Sequence, residues 1–137
     1  MSLKYKIFPQ QSLLVDVLAT SITASKLYEF HETYRNDPDI LCVEKVLTNL
    51  IDAEFKMSFD EMNEYIGIVV REKTPPNLKW ALLTESPNST MFSMLLMEEP
   101  HFKNKVGVFS TIKGACNYLE IKFDEAGFDE SGYSEME

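Results

Sequence analysis

The chain has 137 residues and 15.8 kDa, the size of one ordinary domain, with 45% hydrophobic residues and a formal charge of −9. The hydrophobic and aromatic content argues against a disordered chain. An excess of 22 acids over 13 bases argues against non-specific binding to nucleic acid or to anionic membrane, both of which need clustered Lys and Arg.

Cys42 and Cys116 stand 74 residues apart, without a CxxC or a ladder of cysteines, so neither a zinc site nor a disulfide framework is signalled. The longest apolar run, Leu13 to Ala19, is broken by Asp16 and is too short for a membrane span. The first residues hold two lysines but no apolar signal region. The expectation is a cytoplasmic protein with no cofactor, no nucleic-acid partner and no membrane span.

Tyr5 to Phe8 reads as a half-exposed strand, flanked by Lys4 and alternating with Lys6. Pro9 to Ser12 makes a turn, and Leu13 to Ala19 gives a second strand that completes an N-terminal hairpin. Thr20 to Thr23 supplies N-cap hydroxyls for a helix over Ala24 to Asn36, whose apolar stripe is Leu27, Phe30 and Tyr34. Pro38 stops it. Cys42 to Ile51 is the third strand. Ser58 and Glu61 then form a capping box for a helix reaching about Lys73. Gly67 lies inside that helix, where it invites close approach by a neighbouring element.

Pro75-Pro76 is a break, followed by a fourth strand over Lys79 to Thr84. A helix capped by Ser86 or Asn88 runs to Glu99, with Pro100 ending it. Lys105 to Phe109 is the fifth strand, and Ser110-Thr111 caps a last helix over Ile112 to Ile121. Strand and helix thus alternate four times, predicting a mostly parallel α/β sheet. The remaining residues, 124–137, hold six acids and no base. Residues 1–123 keep 16 acids against 13 bases, a body at −3. The segment 124–137 is read as an acidic, mobile tail whose few apolar anchors are Phe128, Tyr133 and Met136.

Several stretches carry a family resemblance. They are the hairpin followed by Ile22-Thr23 opening a helix, and Val46-Leu47-Thr48-Asn49-Leu50 leading to the capped helix at Ser58. Trp80-Ala81-Leu82-Leu83 and the closing run Val106-Gly107-Val108-Phe109-Ser110-Thr111, with Ala115 and Tyr118-Leu119, complete the set. Over Tyr5 to Ile121 the chain resembles the SpoIIAA-like, or STAS-like, family of small bacterial α/β domains. The resemblance implies a four-turn β-α superhelix with a mixed, mostly parallel five-stranded sheet over 1–123. In anti-sigma-factor antagonists of that family, a serine at the start of the second helix is phosphorylated. Ser58 falls at about that position, within Lys56-Met57-Ser58-Phe59-Asp60, but without the family's following glycine. A capping box gives Ser58 a purely structural reading beside this one.

Catalytic patterns are missing. His31-Glu32-Thr33-Tyr34-Arg35 starts like the zinc-protease HExxH but ends in arginine, and there is no nucleophile elbow, P-loop or dinucleotide fingerprint. His31 extends the apolar stripe of its helix, and is read as a partly buried or surface histidine. The chain is therefore read as no enzyme. The helix segment Met91 to Met97 is apolar on more than one face, so Met91, Met94, Leu95 and Met97 are candidates for an interaction surface or an apolar pocket. The function expected is a non-catalytic interaction or regulatory module, binding a protein partner or its own copy. The alternative is a small apolar ligand or lipid held between the sheet and this helix.

Overall fold

A computed structural model describes residues 3–72 and 74–136. Strand β1 spans Leu3–Phe8 and buries Leu3 and Tyr5, which alternate with Lys4 and Lys6. A 3-10 turn over Pro9–Gln11 closes on Ser12, whose left-handed φ of 52° turns the chain into β2 (Leu13–Leu18). All six residues of β2 are buried, as expected of a strand covered on both faces. Strand β3 (Ser21–Ile22) follows, and then α1 (Ala24–Arg35), in which Thr23 accepts the Lys26 N–H.

After α1 the chain departs from the sequence expectation. Asp37 caps a second 3-10 turn over Pro38–Cys42, so the third long strand, β4, is only Lys45–Asn49. The ladder starts where the Ser12 carbonyl accepts both Glu44 and Lys45 N–H. Strand β5 (Glu54–Phe55) pairs in parallel with β3 as a separate two-stranded sheet. Helix α2 (Phe59–Val70) opens on the expected capping box: Ser58 Oγ accepts the Glu61 N–H at 3.1 Å, and the Glu61 carboxylate accepts the Ser58 N–H at 2.9 Å. No neighbour presses on Gly67; a Cβ there would meet only an Arg71 nitrogen, at 3.9 Å.

The remaining elements are β6 (Lys79–Leu83), α3 (Pro87–Glu98), β7 (Val106–Phe109), α4 (Ile112–Leu119) and β8 (Ser134–Met136). Ser86 is the N-cap of α3, which decides between the two candidate caps. The main sheet has the order β7-β6-β4-β2-β1-β8. From β2 to β7 the strands are parallel; β1 runs antiparallel to β2, and β8 antiparallel to β1. The mixed, mostly parallel sheet and the hairpin match the expectation. The main sheet holds six described strands against the five expected, and the extra one comes from the acidic segment.

That segment packs on the domain. Residues Glu125–Asp129 form a 3-10 turn, Phe128 is buried, and Lys4 Nζ donates to the Phe128 carbonyl at 2.6 Å. Lys6 pairs with Glu130 at 2.9 Å. The aromatic anchors and the open edge of β1 together hold the segment against its charge.

Two cores flank the sheet. Leu14, Leu18 and Leu82 pack with Leu27 and Phe30 of α1, Met62, Tyr65 and Ile66 of α2, and Phe92 and Leu96 of α3. On the other face Leu13, Val15, Val17, Ala81 and Leu83 pack with Ala115 and Leu119 of α4 and with Phe128. Cys42 and Cys116 are free thiols, the first exposed and the second buried. No helix among the described residues is long and apolar enough to cross a membrane.

Candidate functional site

Alternation along β2 puts Leu14, Asp16 and Leu18 on the face covered by α1 to α3. Asp16 is thus a carboxyl group inside an apolar core. Its register partner on β4 is Thr48, and one step toward the strand starts, Leu14, Val46 and Trp80 stand side by side across β2, β4 and β6.

Above this row the C-terminal ends of α1 and α2 and the loops that follow them leave a cavity of about 720 Å³. Its walls are largely apolar, with Ile40, Val43, Val46, Val69, Leu78 and Phe102 among them. Asp16, His31, Tyr34 and Glu72 bring polar groups to it. Leu41, 94% exposed, stands at its rim. Thr74, also in the wall, is tied to His101 Nε2 at 2.8 Å.

Hydrogen-bond direction at Asp16 follows from donor chemistry. An indole nitrogen only donates, so Trp80 Nε1–H gives its proton to Thr48 Oγ1 at 2.8 Å. The Thr48 hydroxyl then donates to Asp16 Oδ1 at 2.6 Å. Burial pushes the Asp16 carboxyl up to about 7, against the pull of the Thr48 hydrogen bond. No ion pair to Asp16 exists among the described residues.

A second polar group sits beside it. Glu72 accepts from His31 Nε2, and its other oxygen is ion-paired with Arg35 Nε at 3.3 Å. A carboxylate only accepts, so His31 Nε2–H donates to it, and His31 Nδ1 lies 2.8 Å from the Tyr34 hydroxyl. Tyr65 Oη lies 3.4 Å from the same nitrogen. Burial raises the Tyr34 and Tyr65 phenols, and the nearby Asp16 charge adds to it, so both remain hydrogen-bond donors in this site.

His31 and Tyr34, which the sequence placed on one stripe of α1, both line the cavity. Ser58 is engaged in its capping box, and neither it nor Met91, Met94, Leu95 or Met97 lines the cavity. Met91 and Met94 are each 38% exposed, while Leu95 and Met97 are partly buried against the core. Asp16, Thr48, Trp80 and Glu72 were not anticipated as a site. The available signal was Asp16 itself, a lone acid in an otherwise apolar strand. Among the described residues no group of three or more His, Cys, Asp or Glu side chains is placed to hold a metal ion.

No family model matches the chain, and no match is found among curated proteins.

Proposed function

We propose that the protein is a non-catalytic binding module that holds a small, mostly apolar molecule in the cavity beside Asp16. The observation that carries this reading is the cavity itself. Its volume of about 720 Å³ is that of a small-ligand site, with apolar walls and a few convergent polar groups. A non-catalytic role is supported by the polar cluster, whose members are spent on one another: Tyr34 on His31, His31 on Glu72, Glu72 on Arg35. The site lies away from the α3 face that the sequence singled out.

Trp80 is the only tryptophan of the chain and lines the cavity, so its emission reports occupancy. Titration with 1-hexanol should give a saturable shift in that emission. Val46→Phe, which fills the cavity from its floor, should abolish the shift while leaving the circular dichroism unchanged. The reading fails if no apolar probe gives saturable binding, or if Val46→Phe binds as the wild type does.

The protein-interaction reading has a narrower support, the exposed Met91 and Met94 on α3. Methionine surfaces adapt to varied partners, and self-association is the form of that reading with the most direct test.

A further inference from the structure

The geometry points to an organic amine as the ligand class: a primary or secondary ammonium group set against Asp16, with its apolar chain in the cavity. This rests on the binding reading above and names the chemistry that fills the site.

The first support is the state of Asp16. Its side chain lies in the core, with 6% of the residue exposed, and it lines the cavity. Oδ1 is taken by Thr48, and no cationic side chain pairs with the carboxylate among the described residues. The two guanidinium groups at the cavity are turned to other work. Arg35 is held by Glu32 and Glu72, and Arg71 reaches back along α2, with Nη2 3.9 Å from the Cβ position of Gly67. A buried carboxylate is costly unless a cation or several donors meet it. A ligand ammonium supplies both at once.

The second support is independent of Asp16. The cavity opens at the C-terminal ends of α1 and α2, where Arg35 is the last residue of α1 and Arg71 the C-cap of α2. Helix C-termini carry the negative end of the macrodipole, which favours a cation and disfavours an anion. The third is the aromatic lining. Rings of Trp80, Tyr34 and Phe102 border the cavity, and aromatic faces attract ammonium groups.

The groups that face Asp16 are Thr48 from β4, Tyr34 from α1, Tyr65 from α2, and Tyr5 as its register partner on β1; Tyr133 lies within electrostatic reach, and Glu72 acts on the Tyr34 and Tyr65 phenols. His31 reaches this group through Tyr34 and Tyr65. With the Asp16 carboxyl near 7, an amine that stays protonated should bind about tenfold tighter at pH 8.5 than at pH 6.

The probes are hexylamine, 1-hexanol and hexanoate, measured by isothermal titration calorimetry at pH 6 and pH 8.5. Hexylamine should bind wild type at least tenfold tighter than 1-hexanol at pH 8.5. Asp16→Asn should bring the two within about threefold and remove the pH dependence of the amine. Equal binding of amine and alcohol to wild type, or preference for hexanoate, overturns the amine assignment and leaves the cavity reading standing. An amine preference that survives Asp16→Asn also overturns it. Absence of binding by all three probes overturns both. The comparison of probes on wild type decides the matter even where the variant folds poorly.

Discussion

Asp16→Asn isolates the energetic consequence of placing a carboxyl in this core. In the folded chain the group titrates near 7, against 3.8 for an exposed aspartate. The folded state therefore keeps a proton that the unfolded state releases as pH rises from 4 to 7. Stability falls through that window and is level on either side. Each pH unit of difference is worth about 1.4 kcal/mol, so the full shift sets a ceiling of about 4 kcal/mol. Water entering the cavity lowers that figure by screening the carboxylate. Asparagine keeps an oxygen to accept from Thr48 and never acquires the charge. Urea unfolding of both proteins, followed by Trp80 emission and circular dichroism between pH 4.5 and 8.5, gives the difference directly. Other titrating groups are common to both chains and cancel. The two proteins should agree within about 1 kcal/mol at the acid end, and the variant should be the more stable by about 2–4 kcal/mol at pH 8.5. A difference that stays constant across pH, or a wild type that is the more stable at pH 8.5, refutes the assignment of a buried, cation-free carboxyl.

Two further outcomes separate the remaining readings. Ser58→Ala should lower stability by about 1 kcal/mol through loss of the N-cap, while Ser58→Asp, which keeps an acceptor at that position, should stay within about 0.5 kcal/mol of wild type. Equal losses in both variants would contradict the capping account. If α3 mediates self-association, wild type sediments as a dimer and Met94→Glu as a monomer with unchanged circular dichroism. Identical sedimentation of the two removes the interaction reading from that face.

Local chemistry made much of the fold readable in advance. A Ser-x-x-Glu box, hydroxyls at the other helix starts, and prolines at 38, 75 and 100 act within a few residues, and the element borders follow them closely. Where the borders miss, a distant partner intervenes. Cys42 and Val43 have strand-like composition, yet pairing with β2 begins only at the Ser12 carbonyl, and the Asp37 cap takes the preceding residues into a turn. The acidic segment looks unable to fold because its own residues bury little; the edge that receives it belongs to residues more than a hundred positions away. The cavity is hidden for the same reason. Asp16 and Thr48 are 32 residues apart, and His31 and Glu72 are 41 apart, so no spacing along the chain announces either pair. The packing of the methionine-rich helix was not legible because hydropathy along a helix does not say which face the sheet takes. Phe92 and Leu96 take it, and Ser89 and Ser93 are buried beside them.

Strand β8 has a consequence for how the protein behaves in a crowded solution. An unpaired β1 would offer the amide and carbonyl row of a six-residue strand to any other chain. The strand that pairs with its Leu3–Tyr5 half is three residues long, too short to template a lasting cross-chain ladder, and it follows a run of carboxylates at 124, 125, 129 and 130. Two such edges meeting would bring like charges together. The negative charge concentrated in this segment thus discourages two copies from pairing through this edge of the sheet.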